Sequence, residues 1–240
     1  MSRRKQRANF GGVEAAVKFC VRAKTPQTRL AHTGRKPGDL RKRDLTGDRY
    51  QGANVGMRLA VFILSAIAQS ALADCPAAPD HVAEVEELLA ETRRANSEAE
   101  ARVSANKLWE LWTDAPDEIA QAMLDRGMAR RQGADFLGAL ADFDELVDYC
   151  PEYAEGYNQR AFVNFLRRDY VPALADLRRT LELAPNHVAA LSGKALTLLG
   201  MGKVEDARAT LEAALALNPW LPERRLAAQS GPLAPPGEDI

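Results

Sequence analysis

The chain has 240 residues and a near-neutral total, 32 Lys and Arg against 33 Asp and Glu, but the charges are unevenly spread. From Asp74 onward 17 basic residues face 29 acidic ones, a net of −12, which argues against DNA or an anionic membrane surface as a partner of that part. Its 167 residues suffice for one sizeable core and are too few for several domains.

Residues 1–56 carry fourteen Lys and Arg against Glu14, Asp39, Asp44 and Asp48, with no sustained apolar period. One reading is that translation begins at Met57. The other is a basic arm that binds nucleic acid or anionic lipid, since clustered cations release counterions from phosphates. Residues 57–73 have the layout of a secretory signal peptide. Met57 and Arg58 precede an apolar run from Leu59 to Ala68, and Ala71 and Ala73 supply the small side chains that a signal peptidase accepts. The run is shorter than the ~20 residues that a stable bilayer span needs. Cleavage after Ala73 would leave Asp74 as the first residue and no transmembrane span. Asp74 is also charged and bulky where a lipid-modified cysteine follows a small residue, which disfavours lipidation of Cys75.

Residues 74–119 read as an N-terminal helical hairpin, with apolar Val85, Leu88 and Leu89 on one helix and Leu108, Leu111 and Trp112 on the next. Past the leader two cysteines remain, Cys75 and Cys150. In an oxidising compartment they suggest one disulfide, pinning the new N-terminus to the segment just before Pro151. The alternative is a buried thiol at Cys150 and a frayed one at Cys75.

Pro151, Pro185 and Pro219 stand 34 residues apart, and the residues upstream repeat in the same frame. Gly127, Ala161 and Ala195 coincide, as do Ala139, Ala173 and Ala207, then Phe143, Leu177 and Leu211, then Leu146, Thr180 and Ala214. Two helices approach closely only where a side chain is absent or one carbon long, which explains the small columns. This pattern resembles the tetratricopeptide repeat family, a 34-residue helix-turn-helix unit with a terminating proline. It departs from the family where Arg126, Arg160 and Lys194 replace the usual leucine, and where Met123, Tyr157 and Leu191 or Arg130, Asn164 and Leu198 stand at its aromatic positions. The resemblance implies an all-α solenoid with three full repeats over 120–221, namely 120–153, 154–187 and 188–221. The hairpin becomes a degenerate fourth unit and N-terminal cap, with Ala105 in the small column and Trp109 in the aromatic one. Residues 222–240 become a capping helix to Ala228 and a disordered, Pro- and Gly-rich tail from Ser230.

Local signals agree with the frame. Asp135 and Asp169 stand where N-caps of second helices belong, Gly200 with Gly202 supplies the turn in the third unit, and Pro172 falls in a first helical turn. Asp142 with Glu145, and Asp176 with Arg179, read as solvated faces.

For function, the resemblance implies that first helices line a concave face. That face would present Leu124 and Met128, then Asn158, Gln159, Phe162 and Phe165, then Ser192 and Leu196. Asn158 and Gln159 could bond a peptide backbone in two directions while Phe162, Phe165, Met128 and Leu196 offer apolar contact; the alternative makes Phe162 and Leu196 packing residues between helices. His81 and His187 lack a metal-ligand spacing, and Ser192 lacks the glycine that a nucleophile elbow needs two residues earlier. No cofactor, metal site or catalysis is therefore expected. The expected role is a periplasmic scaffold that binds another protein or an extended peptide. The alternatives are a cytoplasmic nucleic-acid-associated protein using the basic arm, or a structural protein whose repeats self-associate.

Overall fold

The computed structural model describes residues 74–235; the basic segment 1–56, the signal segment 57–73 with Ala71 and Ala73, and residues 236–240 lie outside the described residues. Eight α-helices follow in order: α1 (Val82–Arg94), α2 (Glu98–Trp112), α3 (Glu118–Gln132), α4 (Phe136–Tyr149), α5 (Ala154–Leu166), α6 (Tyr170–Leu183), α7 (Val188–Gly200) and α8 (Val204–Leu217), then a short 3-10 helix at Pro222–Ala227. Helices α3 to α8 pair as α3/α4, α5/α6 and α7/α8 and stack in chain order, one pair to each 34-residue unit.

Each unit turns in the same two ways. Between its helices the backbone adopts a left-handed residue at Ala134 (φ 60°), Arg168 (φ 63°) and Gly202 (φ 75°). There the amide of the next residue reaches back to the helix end: Asp135 N to Arg130 O, Asp169 N to Asn164 O, and Lys203 N to Leu198 O, each 2.9 Å. These are Schellman closures, which satisfy carbonyls that the helix end leaves open. Only the third unit places a glycine at this position. Asp135 caps α4 by accepting from Gly138 N at 3.0 Å, whereas Asp169 occupies the N-cap of α6 without a side-chain hydrogen bond. Between units, the amides of Tyr153, His187 and Leu221 bond to the carbonyls of Cys150, Ala184 and Asn218. The three prolines sit inside these turns, where their missing N–H costs nothing.

The small columns work by contact. Gly127, Ala139 and Phe143 are buried in the first unit, as are Ala161, Ala173 and Leu177 in the second and Ala195, Ala207 and Leu211 in the third. A Cβ on Gly127 would lie 2.4 Å from the Phe143 ring, so the larger aromatic of the first unit demands the smaller partner.

Two carboxylates read as solvated are buried instead. Asp142 is 3% and Asp176 7% exposed, because each faces the arginine that replaces the family's leucine on the first helix. Arg160 grips Asp176 with two bonds, Nε to Oδ2 at 2.9 Å and Nη2 to Oδ1 at 2.7 Å. Arg126 Nε reaches Asp142 Oδ1 at 2.6 Å, and Arg130 Nη1 lies 2.9 Å from its other oxygen.

The hairpin α1/α2 forms as the sequence implies, but it does not stack on α3 as a further unit would. Its apolar side, Leu88, Leu89, Leu108, Leu111 and Trp112, clusters with Val188, Leu217 and Leu221 of the third unit. Ser97 caps α2 by accepting from Glu100 N at 3.2 Å. The C-terminal cap is a 3-10 helix, and the chain beyond it is ordered to residue 235 where a disordered tail was expected. Leu233 is fully buried and its amide bonds to Leu226 O at 2.8 Å, while Arg208 Nε donates to its carbonyl at 3.2 Å. One apolar side chain in a Pro/Gly-rich segment is enough to pin it.

Candidate functional site

The first helices α3, α5 and α7 lie side by side, and a buried polar row crosses them. At its centre is Glu155, on the first turn of α5 and 1% exposed. It accepts from Asn158 Nδ2 at 3.0 Å and from Gln159 Nε2, and pairs with His187 Nε2 at 2.9 Å. His187 is the N-cap of α7: its Nδ1 accepts the Ala190 amide at 3.2 Å, so Nε2 carries the proton and donates to the carboxylate. The row continues to α3, where Arg131 Nη1 donates to Gln159 Oε1 at 2.6 Å and its guanidinium lies 4.7 Å from the Phe162 ring centroid. A charge buried this deeply is tolerated because every oxygen is bonded.

The hairpin closes one end of the row. Trp112 stacks on the His187 ring with centroids 4.1 Å apart and planes 18° from parallel, and its carbonyl accepts from Tyr153 Oη at 2.8 Å. Burial, with the Glu155 charge nearby, pushes the Tyr153 phenol far above its ordinary value, so it stays a neutral donor. At the other side Glu223, buried beside the Ser192 hydroxyl, has its carboxyl raised above the ordinary range by desolvation.

Most residues expected to face a partner are thus already used. Leu124 is fully buried and Gln159 is 1% exposed, with Ser192, Asn158, Phe165, Leu196 and Met128 between 6% and 9%. Asn158 and Gln159 each donate to Glu155 and Gln159 accepts from Arg131, so both side chains are engaged within the fold. Leu124 and Met128 belong to the core around Phe143 and Tyr153, and Phe165 and Leu196 to the core that also holds Leu226 and Leu233. Phe162 is different: it is half-buried, as are Arg131, Leu166 and Leu199, and with Arg131 over its ring and Leu199 on the same core it is a partly accessible spot on the first-helix face. The sequence analysis missed Glu155, His187 and Arg131 as a group. Their signal was that Glu155 is the one acid in its column, between Gln121 and Ala189, and that Tyr153, His187 and Leu221 share another.

Cys75 and Cys150 are bonded, with Cα atoms 5.1 Å apart. The bond closes a loop of 75 residues, worth about 4 kcal/mol in the chain-entropy account. Asp74 is exposed. Among the described residues no group of three or more His, Cys, Asp or Glu is placed to hold a metal ion, and no helix is long and apolar enough to cross a membrane.

Residues 165–225 match the family model described as Tetratricopeptide repeat. A TPR repeat-containing protein of Rhizobium etli is 27% identical over 121 residues, which cover 49% of this chain and 58% of that relative. Tetratricopeptide repeat protein 36 of Homo sapiens is 30% identical over 121 residues, covering 49% of this chain and 64% of the relative. The chain therefore spans less than two thirds of the length of these curated relatives. Among solved structures, the Arabidopsis OM64 TPR domain is 20% identical and covers 47% of this chain and 93% of that one, with a TM-score of 0.45.

Proposed function

We propose that this chain, whose repeats are tetratricopeptide repeats, is a non-catalytic scaffold that binds a protein or extended peptide across the face lined by α3, α5 and α7, in the bacterial periplasm. The observation that carries the reading is the patch made by Arg131 over Phe162, flanked by Leu166 and Leu199. It offers a cation, an aromatic ring and aliphatic carbons on neighbouring first helices, while the bonded row beneath it holds their spacing. A rigid aromatic and an arginine at the centre of a face are the side chains that concentrate interface energy. Location in the periplasm is supported by the signal-like segment 57–73 and by a disulfide one residue after Asp74.

Crosslinked pull-down of the full chain from the envelope fraction, titrated against the recovered partner, tests the reading. Phe162→Ala and Arg131→Ala are each expected to weaken capture by about 1 to 2 kcal/mol, with circular dichroism unchanged. Val171→Ala, on the exposed side of α6, is expected to bind as wild type. Full capture by the first two variants, together with loss in a second-helix variant such as Arg178→Glu, would place the partner on the opposite face.

A further inference from the structure

The turns between units repeat every 34 residues, so their equivalent positions line up along one edge of the array. Those positions are Tyr153, His187 and Leu221, and each of them meets the hairpin α1/α2. Tyr153 donates to the Trp112 carbonyl, His187 stacks on the Trp112 ring, and Leu221 joins the apolar cluster with Leu88, Leu89 and Leu108. The hairpin is thus seated along an edge that the repeat itself generates, spanning all three units.

Its seating differs from that of the repeats on one another. Its main helix-to-helix packing on the array is α1 against α8, with Trp109 of α2 also resting on the core of the first unit, and the α1/α8 seam is incompletely filled. A cleft of about 370 Å³ opens there between Glu86, Leu89 and Arg93 on one side and Asn186 and Leu217 on the other. The ion pair across the interface, Arg224 to Glu98 at 3.1 Å, has side chains 35% and 44% exposed and is well screened. Covalent ties hold the hairpin at both ends. On one side the chain continues through residues 113–117 into α3. On the other, Cys75, seven residues before the start of α1, is bonded to Cys150 at the end of α4.

We propose that this edge is a docking surface distinct from the first-helix face, that the hairpin is its resident occupant, and that the Cys75–Cys150 bond locks the occupant in place. A dithiol reductant undoes the lock. Its thiolate attacks Sγ of Cys75, the more accessible sulfur, and Cys150 leaves as a thiolate; the second thiol of the reductant then resolves the mixed disulfide. Two electrons and two protons end on the cysteines, and the reductant ends as a disulfide. With one tether gone, the hairpin swings on residues 113–117 and its effective concentration at the edge falls. Tyr153, His187, Val188, Leu217 and Leu221 are then uncovered together.

Hydrogen exchange of the full chain, read by mass spectrometry with and without dithiothreitol, tests this without any partner, so its failure leaves the scaffold proposal standing. Reduction is expected to speed exchange of α1 and α2 by roughly tenfold or more, with α5 and α6 unchanged, because opening is local. Cys75→Ser without reductant is expected to match the reduced protein. Equal hairpin exchange with the bond intact and broken would overturn the proposal. So would a uniform rise through α3 to α8, which would make the bond a staple of the whole array.

Discussion

Asp176 reads in sequence as one more carboxylate on a polar helix face, and its burial is explained by a residue sixteen positions earlier. Arg160 occupies the column where the family has leucine, half-buried between helices, and its planar fork matches the two oxygens of Asp176. The bond to Asp176 outweighs desolvation and pushes the guanidinium further above its ordinary range. Asp176→Ala leaves that cation between two helices with only the exposed Asp144, 2.9 Å from its Nη1, and is expected to destabilise the domain by roughly 2 kcal/mol. Glu145→Ala, at an exposed carboxylate, is expected to stay within about 0.5 kcal/mol. Urea denaturation midpoints decide between them, and equal midpoints would return Asp176 to a solvated role. The pair was legible in one respect. Arg126 with Asp142 and Arg160 with Asp176 recur together, and both members are lost together in the third unit, where Lys194 and Thr210 stand. Reading the columns singly hid a pairing that reading them jointly would have exposed.

At the scale of elements, the 34-residue period gave helix pairs, turns and small columns because each depends on contacts within one unit or with the next. The first unit tests that logic, since it alone combines Gly127 with Phe143 where the others combine alanine with leucine. Gly127→Ala should gain about 1 kcal/mol of helix propensity but drives a methyl into the ring, and a net loss of roughly 1 to 2 kcal/mol is expected. Phe143→Leu alone removes buried ring atoms and costs about as much. The double variant recreates the combination of the other two units, so a favourable coupling of about 1 kcal/mol is expected in the cycle; strict additivity would contradict the packing described. The hairpin's place was not legible by the same route. Its docking depends on His187, Val188, Leu217 and Leu221, about a hundred residues away, and no period connects α1 to them. The buried candidates of the first-helix face went astray for a related reason. Phe165 and Leu196 belong to a core that also holds Leu226 and Leu233, and that terminal segment has no counterpart inside a repeat.

For the whole molecule, the open matter is which chain the cell keeps. The first cysteine of the disulfide follows Asp74 directly. Removal of residues 1–73 takes away fifteen cations and four acids and leaves a net charge of −12, a balance that disfavours contact with a polyanion. A thiol pair kept in the cytosol would meet a reducing pool, whereas export past the membrane favours the bond. Intact mass and N-terminal sequencing of the native protein are therefore expected to give Asp74 as the first residue, and a non-reducing tryptic map to give one fragment linking Cys75 to Cys150. The two readouts are separable. Residues 1–56 retained in the native protein would remove the case for export and revive the basic arm as a binding element. Asp74 at the N-terminus with both cysteines alkylated without reductant would keep export and deny the lock on the hairpin.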